Sequence, residues 1–191
     1  MADRVYCYPG TDVLMNKLGI RDKNKLQDYE RRLTMLRLLE LTEKPIHGNF
    51  DLSHLKRIHQ YIFQDIYEWA GEIRQVDIAK TYMFCNVKFI ETQSEEIFGK
   101  LKEEKFLSNL EISKFIPRLA YYFAEVNALH PFREGNGRTQ REFFRTLADQ
   151  NGYILSFANI SEEEMIQISQ ESFLLKYDGL EQMFRKCLRK K

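Results

Sequence analysis

The sequence contains few cysteines and no spacing that would pair them. Three occur among its 191 residues, Cys7, Cys85 and Cys187, an odd number without a C-x-x-C pattern. This usage argues against a disulfide framework and against a zinc site, and it is typical of a reducing compartment. We therefore expect a cytoplasmic protein.

Long apolar runs and a charge imbalance are also missing. No apolar run approaches the roughly 20 residues that a membrane-spanning helix needs, and the N-terminal Met-Ala-Asp-Arg begins no signal-peptide core. The 29 basic residues nearly balance the 28 acidic ones, for a formal charge of +1. That balance gives no support for a general nucleic-acid binder. We expect no direct contact with nucleic acid or membrane.

The composition suits one folded domain. Hydrophobic residues make up 43% of the chain, which is ordinary globular usage and not that of a disordered protein. A chain of 191 residues can bury one proper core and has little left for a second. Repeats, low-complexity tracts and linkers do not occur. We predict a single domain over residues 1–191.

Apolar residues recur at helical spacing through most of the chain. After an irregular lead-in, the pattern predicts helices over about 24–44, 52–63, 92–106, 113–129, 138–150, 162–174 and 179–188. The fourth helix has a wide apolar stripe between Phe115 and Leu129, which indicates a buried position at the centre. The sequence therefore predicts an all-α fold, a helical bundle around a central buried helix.

One segment departs from the helical pattern. Residues 74–78 and 85–90 alternate in polarity and contain enough β-branched residues for two short strands. Their connection would make them a hairpin or a looser flap. Two strands alone are marginally stable, so we expect this hairpin to lean on a helix or to await a partner strand.

The densest chemistry lies in residues 130–141, which read His-Pro-Phe-Arg-Glu-Gly-Asn-Gly-Arg-Thr-Gln-Arg. His130 carries the side chain whose unperturbed pKa lets it accept a proton near neutral pH. Glu134 offers a hard oxygen ligand for Mg²⁺, which usually takes one or two carboxylates and completes its shell with phosphate oxygens. The Gly-Asn-Gly sequence at 135–137 can turn tightly and expose backbone N–H groups to an anion. A helix that starts there would strengthen the attraction.

Two arginines extend this pattern. Arg138 and Arg141 lie three residues apart, so on a helix they share a face and could both reach phosphates as planar forks. Taken singly, a Gly-Asn-Gly turn or a helix-surface arginine is ordinary. The whole set at this spacing predicts a site for a magnesium-bound polyphosphate with a base beside it.

Other polar residues are predicted to have structural or solvated positions. Glu30 and Arg145 are interpreted as solvated side chains on helices. His54 and His59 are five residues apart on one helix and so not on one face, which argues against a metal pair. Each is interpreted as a surface or a hydrogen-bonded core histidine.

The 130–141 loop resembles the signature of Fic-domain proteins, H-x-F-x-[DE]-G-N-G-R-x-x-R, and all eight fixed positions are present. Residues 16–20 and 67–71, the predicted hairpin and the Asn-Ala-Leu-His of 127–130 also fall where that family places its counterparts. The resemblance covers essentially the whole chain. It implies a single Fic domain that transfers AMP from ATP to a protein hydroxyl, releases pyrophosphate and uses Mg²⁺.

The resemblance also implies residue roles. His130 would deprotonate the target hydroxyl, and Glu134 would hold the Mg²⁺ that bridges the α- and β-phosphates. Phe132 would seat the loop in the core. The backbone amides of Gly135, Asn136 and Gly137, together with the Asn136 side chain, would form the anion hole for the α-phosphate. Arg138 and Arg141 would take the β- and γ-phosphates.

Two further expectations come from the resemblance. The flap would align the target segment by strand addition, with Phe84 clamping its side chain. Many Fic proteins carry an inhibitory helix with the pattern [ST]-x-x-x-E-[GN], but the one Glu followed by Gly or Asn here is Glu134. By analogy, a separate small antitoxin would occlude Arg141, and this chain would be the toxin. DNA gyrase and topoisomerase IV are the first candidate targets, because similar toxins act on type II topoisomerases.

Two alternatives remain open. The same fold could transfer UMP, phosphate or phosphocholine, although kinases of the superfamily depart from Gly-Asn-Gly-Arg and this chain does not. A non-catalytic binding module could use the flap as a docking edge. Such a module would be expected to have a degenerate loop, and this loop is intact.

Overall fold

The computed structural model describes residues 5–191, so the predictions for the first four residues lie outside the described part. This part contains seven α-helices and two short strands. The helices are α1 Lys23–Glu43, α2 Leu52–Phe63, α3 Ile90–Glu103, α4 Ile112–Leu129, α5 Asn136–Gln150, α6 Glu162–Phe173 and α7 Asp178–Cys187. The strands are β1 Tyr153–Leu155 and β2 Leu188–Lys190.

Side-chain caps explain where several helices begin. Asp22 accepts a hydrogen bond from the Lys25 amide at 2.8 Å and caps α1. Asp51 accepts from the His54 amide at 2.7 Å and caps α2. Such caps satisfy amides that have no partner within the helix. In α1 and α2 the polar residue before the first turn therefore sets the helix start.

Helix α4 lies at the centre of the molecule. Its apolar side chains, among them Phe115, Leu119 and Phe123, are almost completely buried, and the helix contacts α3, α5, α6 and α7. The predicted all-α fold around a central buried helix is confirmed. Neither α4 nor any other helix within residues 5–191 is long and apolar enough to cross a membrane.

The two strands form an antiparallel pair that the sequence pattern did not predict. Tyr153 lies opposite Lys190, and Leu155 lies opposite Leu188. Strand β1 follows α5 after a turn at Gly152, whose φ is +80°. Because β2 directly follows α7, the pair joins the end of the last helix to the exit of α5.

The predicted hairpin strands are wrong, although a looser flap is present over residues 75–86. A single bridge joins Ala79 to Met83, and residues 87–89 form a 3₁₀ turn. The Asp77 carboxylate accepts from the Val87 amide at 2.8 Å and from the Asn86 side chain at 2.7 Å. These side-chain bonds take the amides that a strand ladder would need.

Candidate active site

His130 ends the central helix in a left-handed conformation, with φ of +45°. Its Nδ1 lies 3.3 Å from the Asn127 carbonyl oxygen. A carbonyl can only accept, so the neutral ring carries its proton on Nδ1 and donates it there. The lone pair is therefore on Nε2, which has no hydrogen-bond partner within residues 5–191. Nε2 is the ring atom that can accept a proton.

Phe84 of the flap lies flat on the His130 ring. The ring centroids are 3.7 Å apart and the planes differ by 14°, and Phe84 is 7% exposed. Burial lowers the pKa of His130 to about 3, and the positive charge of Lys80 acts in the same direction. The imidazole is thus neutral at physiological pH and held at a fixed orientation.

Phe132 and Asn136 fix the path of the 130–141 loop. The Phe132 ring is 1% exposed and stacks on His59 with centroids 3.9 Å apart, as expected of a core anchor. The Asn136 side chain accepts from the Phe132 amide at 2.9 Å and donates to the Phe132 carbonyl at 2.7 Å. Because both polar atoms of this side chain close the loop, the predicted part of the Asn136 side chain in the anion hole does not fit the structure, and only its backbone amide is available to an anion.

His59 supports the loop from beneath. Its Nδ1 accepts from the Gly71 amide at 2.8 Å, so Nε2 carries the proton that is donated to the Glu134 carbonyl at 3.0 Å. Both bonds require the neutral ring. Burial lowers the pKa of His59 to about 3. The structure therefore places His59, like His54, among hydrogen-bonded core histidines.

The start of α5 provides an anion cradle. The backbone amides of residues 136–138 have no acceptor within the described part of the chain, as at any helix start without a side-chain cap. Gly135 precedes them with φ of +80°, and a Cβ placed there would lie 2.1 Å from Cζ of Phe63. Only glycine fits at this point, so it allows the helix start to approach the aromatic core.

The two arginines of the loop differ in their surroundings. Arg138 is engaged by protein groups of α1, including Glu30 and Thr34. The Arg141 guanidinium has no hydrogen bond or ion pair with any residue in 5–191. Burial, together with the charge of Arg138, lowers the pKa of Arg141. Of the two arginines, Arg141 is therefore the one without a direct partner among the described residues, and Glu162 acts on it only as a more distant opposite charge.

Glu134 is the carboxylate nearest this cradle. Its side chain is 47% exposed, Oε1 accepts from the Gly135 amide at 2.9 Å, and the same atom lies 3.7 Å from Arg138 Nη2. No cluster of three or more metal-ligating side chains occurs within residues 5–191. A half-exposed carboxylate beside an anion cradle fits Mg²⁺, which accepts one protein carboxylate and takes further oxygens from phosphates.

Arg74 is a site residue that the sequence analysis missed. It is 1% exposed, and its guanidinium donates to the carbonyls of His130 at 2.9 Å, Val76 at 2.7 Å and Cys85. Its own amide donates to the Pro131 carbonyl at 2.9 Å. Arg74 thereby ties the base of the flap to the backbone of His130. The sequence signal that could have revealed it is that Arg74 lies on the apolar face of the alternating segment 74–78.

The prediction that Glu30 is a solvated carboxylate is wrong. Glu30 is 9% exposed and accepts from the Tyr67 hydroxyl on one oxygen and from Arg138 on the other. The Tyr67 ring stacks on Trp69 with centroids 4.2 Å apart. Because α1 packs over the loop, the face of α1 that carries Glu30 points inward. Helical spacing alone does not reveal this orientation.

Arg145 is likewise not a solvated cation. It donates twice to the Glu142 carboxylate at 2.7 Å and once to the Leu41 carbonyl at 2.9 Å. Its side chain is 23% exposed and that of Glu142 is 4% exposed. This pair is a second buried ion pair on α5, located away from the anion cradle.

A helical bundle whose central helix ends in this loop defines a Fic-fold protein. Residues 49–148, slightly more than half of the chain, match the model of the Fic/DOC family. The chain belongs to that family, as the signature predicted.

Curated relatives agree with the family assignment. Protein adenylyltransferase VbhT of Bartonella schoenbuchensis is 41% identical over 184 residues, which are 96% of this chain and 38% of the relative. The probable protein adenylyltransferase Fic of Escherichia coli K12 is 39% identical over 96% of this chain and 91% of its own length. The chain thus spans well under half of VbhT but nearly all of the E. coli relative.

Solved structures share the fold. BepC of Bartonella tribocorum, determined with bound AMPPNP, superposes with a TM-score of 0.94 at 26% identity, covering 99% of this chain and 98% of BepC. The N-terminal Fic domain of a Bartonella quintana effector, determined with bound ADP, has the same TM-score and identity. That match covers 100% of this chain and 97% of the domain.

Proposed function

We propose that this chain is a protein adenylyltransferase that transfers AMP from ATP to a hydroxyl side chain of a target protein. The enzyme class, a nucleotidyltransferase, is that of curated relatives that match most of the chain at 36–41% identity. The nucleotide co-substrate is supported by Fic-fold neighbours solved with AMPPNP and ADP. The observation that carries the proposal is a neutral His130 with a free Nε2, at the start of the loop that continues into the unpartnered amides of α5.

The reaction is a substitution at the α-phosphorus. The target hydroxyl oxygen bonds to the α-phosphorus while the bond from that phosphorus to the bridging oxygen of the β-phosphate breaks, and pyrophosphate leaves. The hydroxyl proton passes to Nε2 of His130. Because this ring is already neutral and fixed by Asn127 and Phe84, it needs neither deprotonation nor reorientation before it accepts the proton.

The chain's remaining groups hold the phosphates. The amides of residues 136–138 and the dipole of α5 face the charge that develops on the α-phosphate. Arg138 and Arg141 take the β- and γ-phosphates. Glu134 would hold Mg²⁺, which when bound supplies charge neutralisation between neighbouring phosphates. On the flap, Phe84 lies on the face of the His130 ring and would contact the target segment from there.

Transfer can be tested with purified protein, Mg-ATP and a host lysate. Label from [α-³²P]ATP, and not from [γ-³²P]ATP, should enter proteins, and the label should carry the mass of AMP. His130→Ala should lose at least about a thousandfold in rate, as expected when a general base is removed. His47→Ala, which alters an exposed histidine, should keep wild-type activity. Transfer of γ-label, UMP or phosphocholine would show that the transferred group is not AMP. Equal activity of His130→Ala and the wild type would refute the proposal.

We further propose that the enzyme acts in the cytoplasm as the toxin of a toxin–antitoxin pair. Two features support this role: the inhibitory pattern [ST]-x-x-x-E-[GN] does not occur in the 191 residues, and the Arg141 guanidinium has no hydrogen bond or ion pair with any residue in 5–191. A small partner protein would supply the missing glutamate to Arg141. Growth arrest on expression, relieved by the product of a neighbouring gene with that pattern, would support the pair. Purified DNA gyrase and topoisomerase IV are the first targets to test for AMP.

A further inference from the structure

We propose that Glu30 of α1 is a positioning residue that holds Arg138 ready for a nucleotide phosphate. The inference rests on the function proposed above, and it deepens that function by giving the two arginines of the loop different tasks. Arg138 is fixed by the protein before nucleotide arrives, whereas Arg141 waits for its counter-charge.

Arg138 is held from three sides. Its Nη2 donates to Oε1 of Glu30 at 2.5 Å, and its Nη1 donates to Oγ1 of Thr34 at 3.1 Å. The guanidinium carbon lies 4.7 Å from the centroid of the Phe63 ring. A cation in contact with a carboxylate, a hydroxyl and an aromatic face has little freedom to change rotamer.

Glu30 is itself fixed on its second oxygen. The Tyr67 hydroxyl donates to Oε2, and the Glu30 side chain is 12% exposed. Burial, with the negative charge of Glu30, raises the pKa of Tyr67 far above its usual range, so the phenol remains a donor. The carboxylate therefore has no alternative partner in solvent and serves as a rigid support.

This engagement leaves Arg138 able to bind a ligand. A guanidinium has five N–H donors, and Glu30 and Thr34 use one donor each. Three remain, so a phosphate can be bound without breaking the contacts to α1. Fixing the arginine in advance removes the ordering cost that a mobile side chain would add to binding.

The same ion pair could act as a brake if Glu30 competed with phosphate for Arg138. The two interpretations predict opposite signs when the carboxylate is neutralised. If Glu30 supports Arg138, the Glu30→Gln variant should bind nucleotide more weakly. If Glu30 competes with phosphate for Arg138, the variant should bind nucleotide more tightly. The remaining free donors of Arg138 and the burial of Glu30 favour the support.

The experiment compares Glu30→Gln with Glu142→Gln. Glu142 is a matched control, because it is also a buried carboxylate paired with an arginine of α5, but it faces Arg145 and not the anion cradle. Calorimetric titration measures the Kd of ADP and of AMP for each variant, and steady-state transfer to a target protein gives KM for ATP and kcat. Thermal unfolding reports the stability that each variant loses.

We expect Glu30→Gln to bind ADP about tenfold more weakly, as for the loss of one charge-assisted contact. KM for ATP should rise similarly with a smaller change in kcat. AMP, which lacks the β-phosphate, should bind as it does to the wild type, and Glu142→Gln should change only stability. A merely structural role of Glu30 would weaken ADP and AMP alike.

Several outcomes would overturn the inference. Tighter ADP binding by Glu30→Gln would identify a brake, and unchanged ADP binding would remove the role altogether. If Glu30→Gln does not fold, Thr34→Val removes the neighbouring contact and should weaken ADP binding in the same direction by a smaller factor; unchanged binding there would count against the inference. An inactive wild type that still shows the ADP pattern would contradict the proposed function and leave the arginine support intact.

Discussion

At the residue scale, two glycines of the 130–141 loop are required for different physical reasons. Gly135 has a left-handed backbone conformation and lies directly against Phe63. Gly137 lies inside the first turn of α5, where a Cβ would meet Nη1 of Arg141 at 3.3 Å. Gly135 allows the left-handed turn of the loop beside Phe63, and Gly137 leaves space for the Arg141 side chain.

Alanine substitutions should separate these two roles. Gly135→Ala should cost at least about 1–2 kcal/mol of stability through the left-handed backbone alone, and it should abolish transfer. Gly137→Ala should gain about 0.5–1 kcal/mol from helix propensity while weakening ADP binding, because the new methyl group displaces Arg141. Chemical denaturation and calorimetric titration measure the two effects. If Gly137→Ala lost both stability and activity, the contact with Arg141 would not be the cause.

At the element scale, the flap and the central helix are joined through one buried side chain. Arg74 contacts carbonyls at both ends of the flap and at His130, and the Cys85 amide donates to the Ala128 carbonyl at 2.9 Å. The α6 helix touches the flap from the other side, where Phe173 stacks on Tyr82 with centroids 5.3 Å apart. The flap position is thus set relative to the end of α4 rather than by strand pairing of its own.

Replacing Arg74 by lysine should uncouple the flap from His130. A lysine has a single nitrogen and cannot reach three separate carbonyls as a planar guanidinium does, and each buried carbonyl left without a donor costs about 1–3 kcal/mol. We expect transfer to the target to fall at least about tenfold. The Kd of ADP should change little, because the amides of residues 136–138 are held independently.

Arg145→Lys is the control for this prediction. Arg145 is also largely buried and also donates to a main-chain carbonyl, that of Leu41, but it is remote from the flap. It should lose stability without a comparable loss of transfer at temperatures where both variants are folded. Equal losses of activity in the two lysine variants would show that Arg74 acts through stability alone.

At the scale of the whole molecule, three histidines with lowered pKa values make the fold sensitive to acid. Burial lowers the pKa of His54, and it lowers the pKa values of His59 and His130 to about 3, from an ordinary value of 6.5. As pH falls below about 6.5, the unfolded chain takes up protons that these groups refuse in the folded chain, so stability falls as pH approaches 3. Above pH 7 none of the three contributes to a pH dependence.

Urea unfolding at several pH values tests this sensitivity. Between pH 6 and pH 4, His59 and His130 should each reduce stability by about 1 kcal/mol per pH unit. His59→Asn should be less stable than the wild type at pH 7 but should show a shallower slope. His47→Asn, at an exposed position, should keep the wild-type slope. Parallel slopes for His59→Asn and the wild type would contradict the assigned cause.

The sequence predicted those parts of the molecule whose physical cause is local. The apolar stripe of α4 and the chemistry of residues 130–141 can both be interpreted from short spacings. Glu30 and Arg138 lie 108 positions apart, and the partners of Arg74 reach across 56 positions, so no local spacing reveals them. The flap strands were overpredicted because the side chains of Asp77 and Asn86 accept from the backbone amides of Val87 and Lys88, which strand pairing would otherwise use. The β1–β2 pair escaped detection because each strand has only three residues.

The stack of Trp69 on Tyr67 gives this protein a built-in optical reporter. The chain contains one tryptophan, and its ring lies 4.2 Å from the phenol that supports Glu30. Under tryptophan-selective excitation the emission therefore comes from one position, stacked on the first member of the hydrogen-bonded series Tyr67–Glu30–Arg138. Changes in that emission can follow the loop in solution without an attached dye.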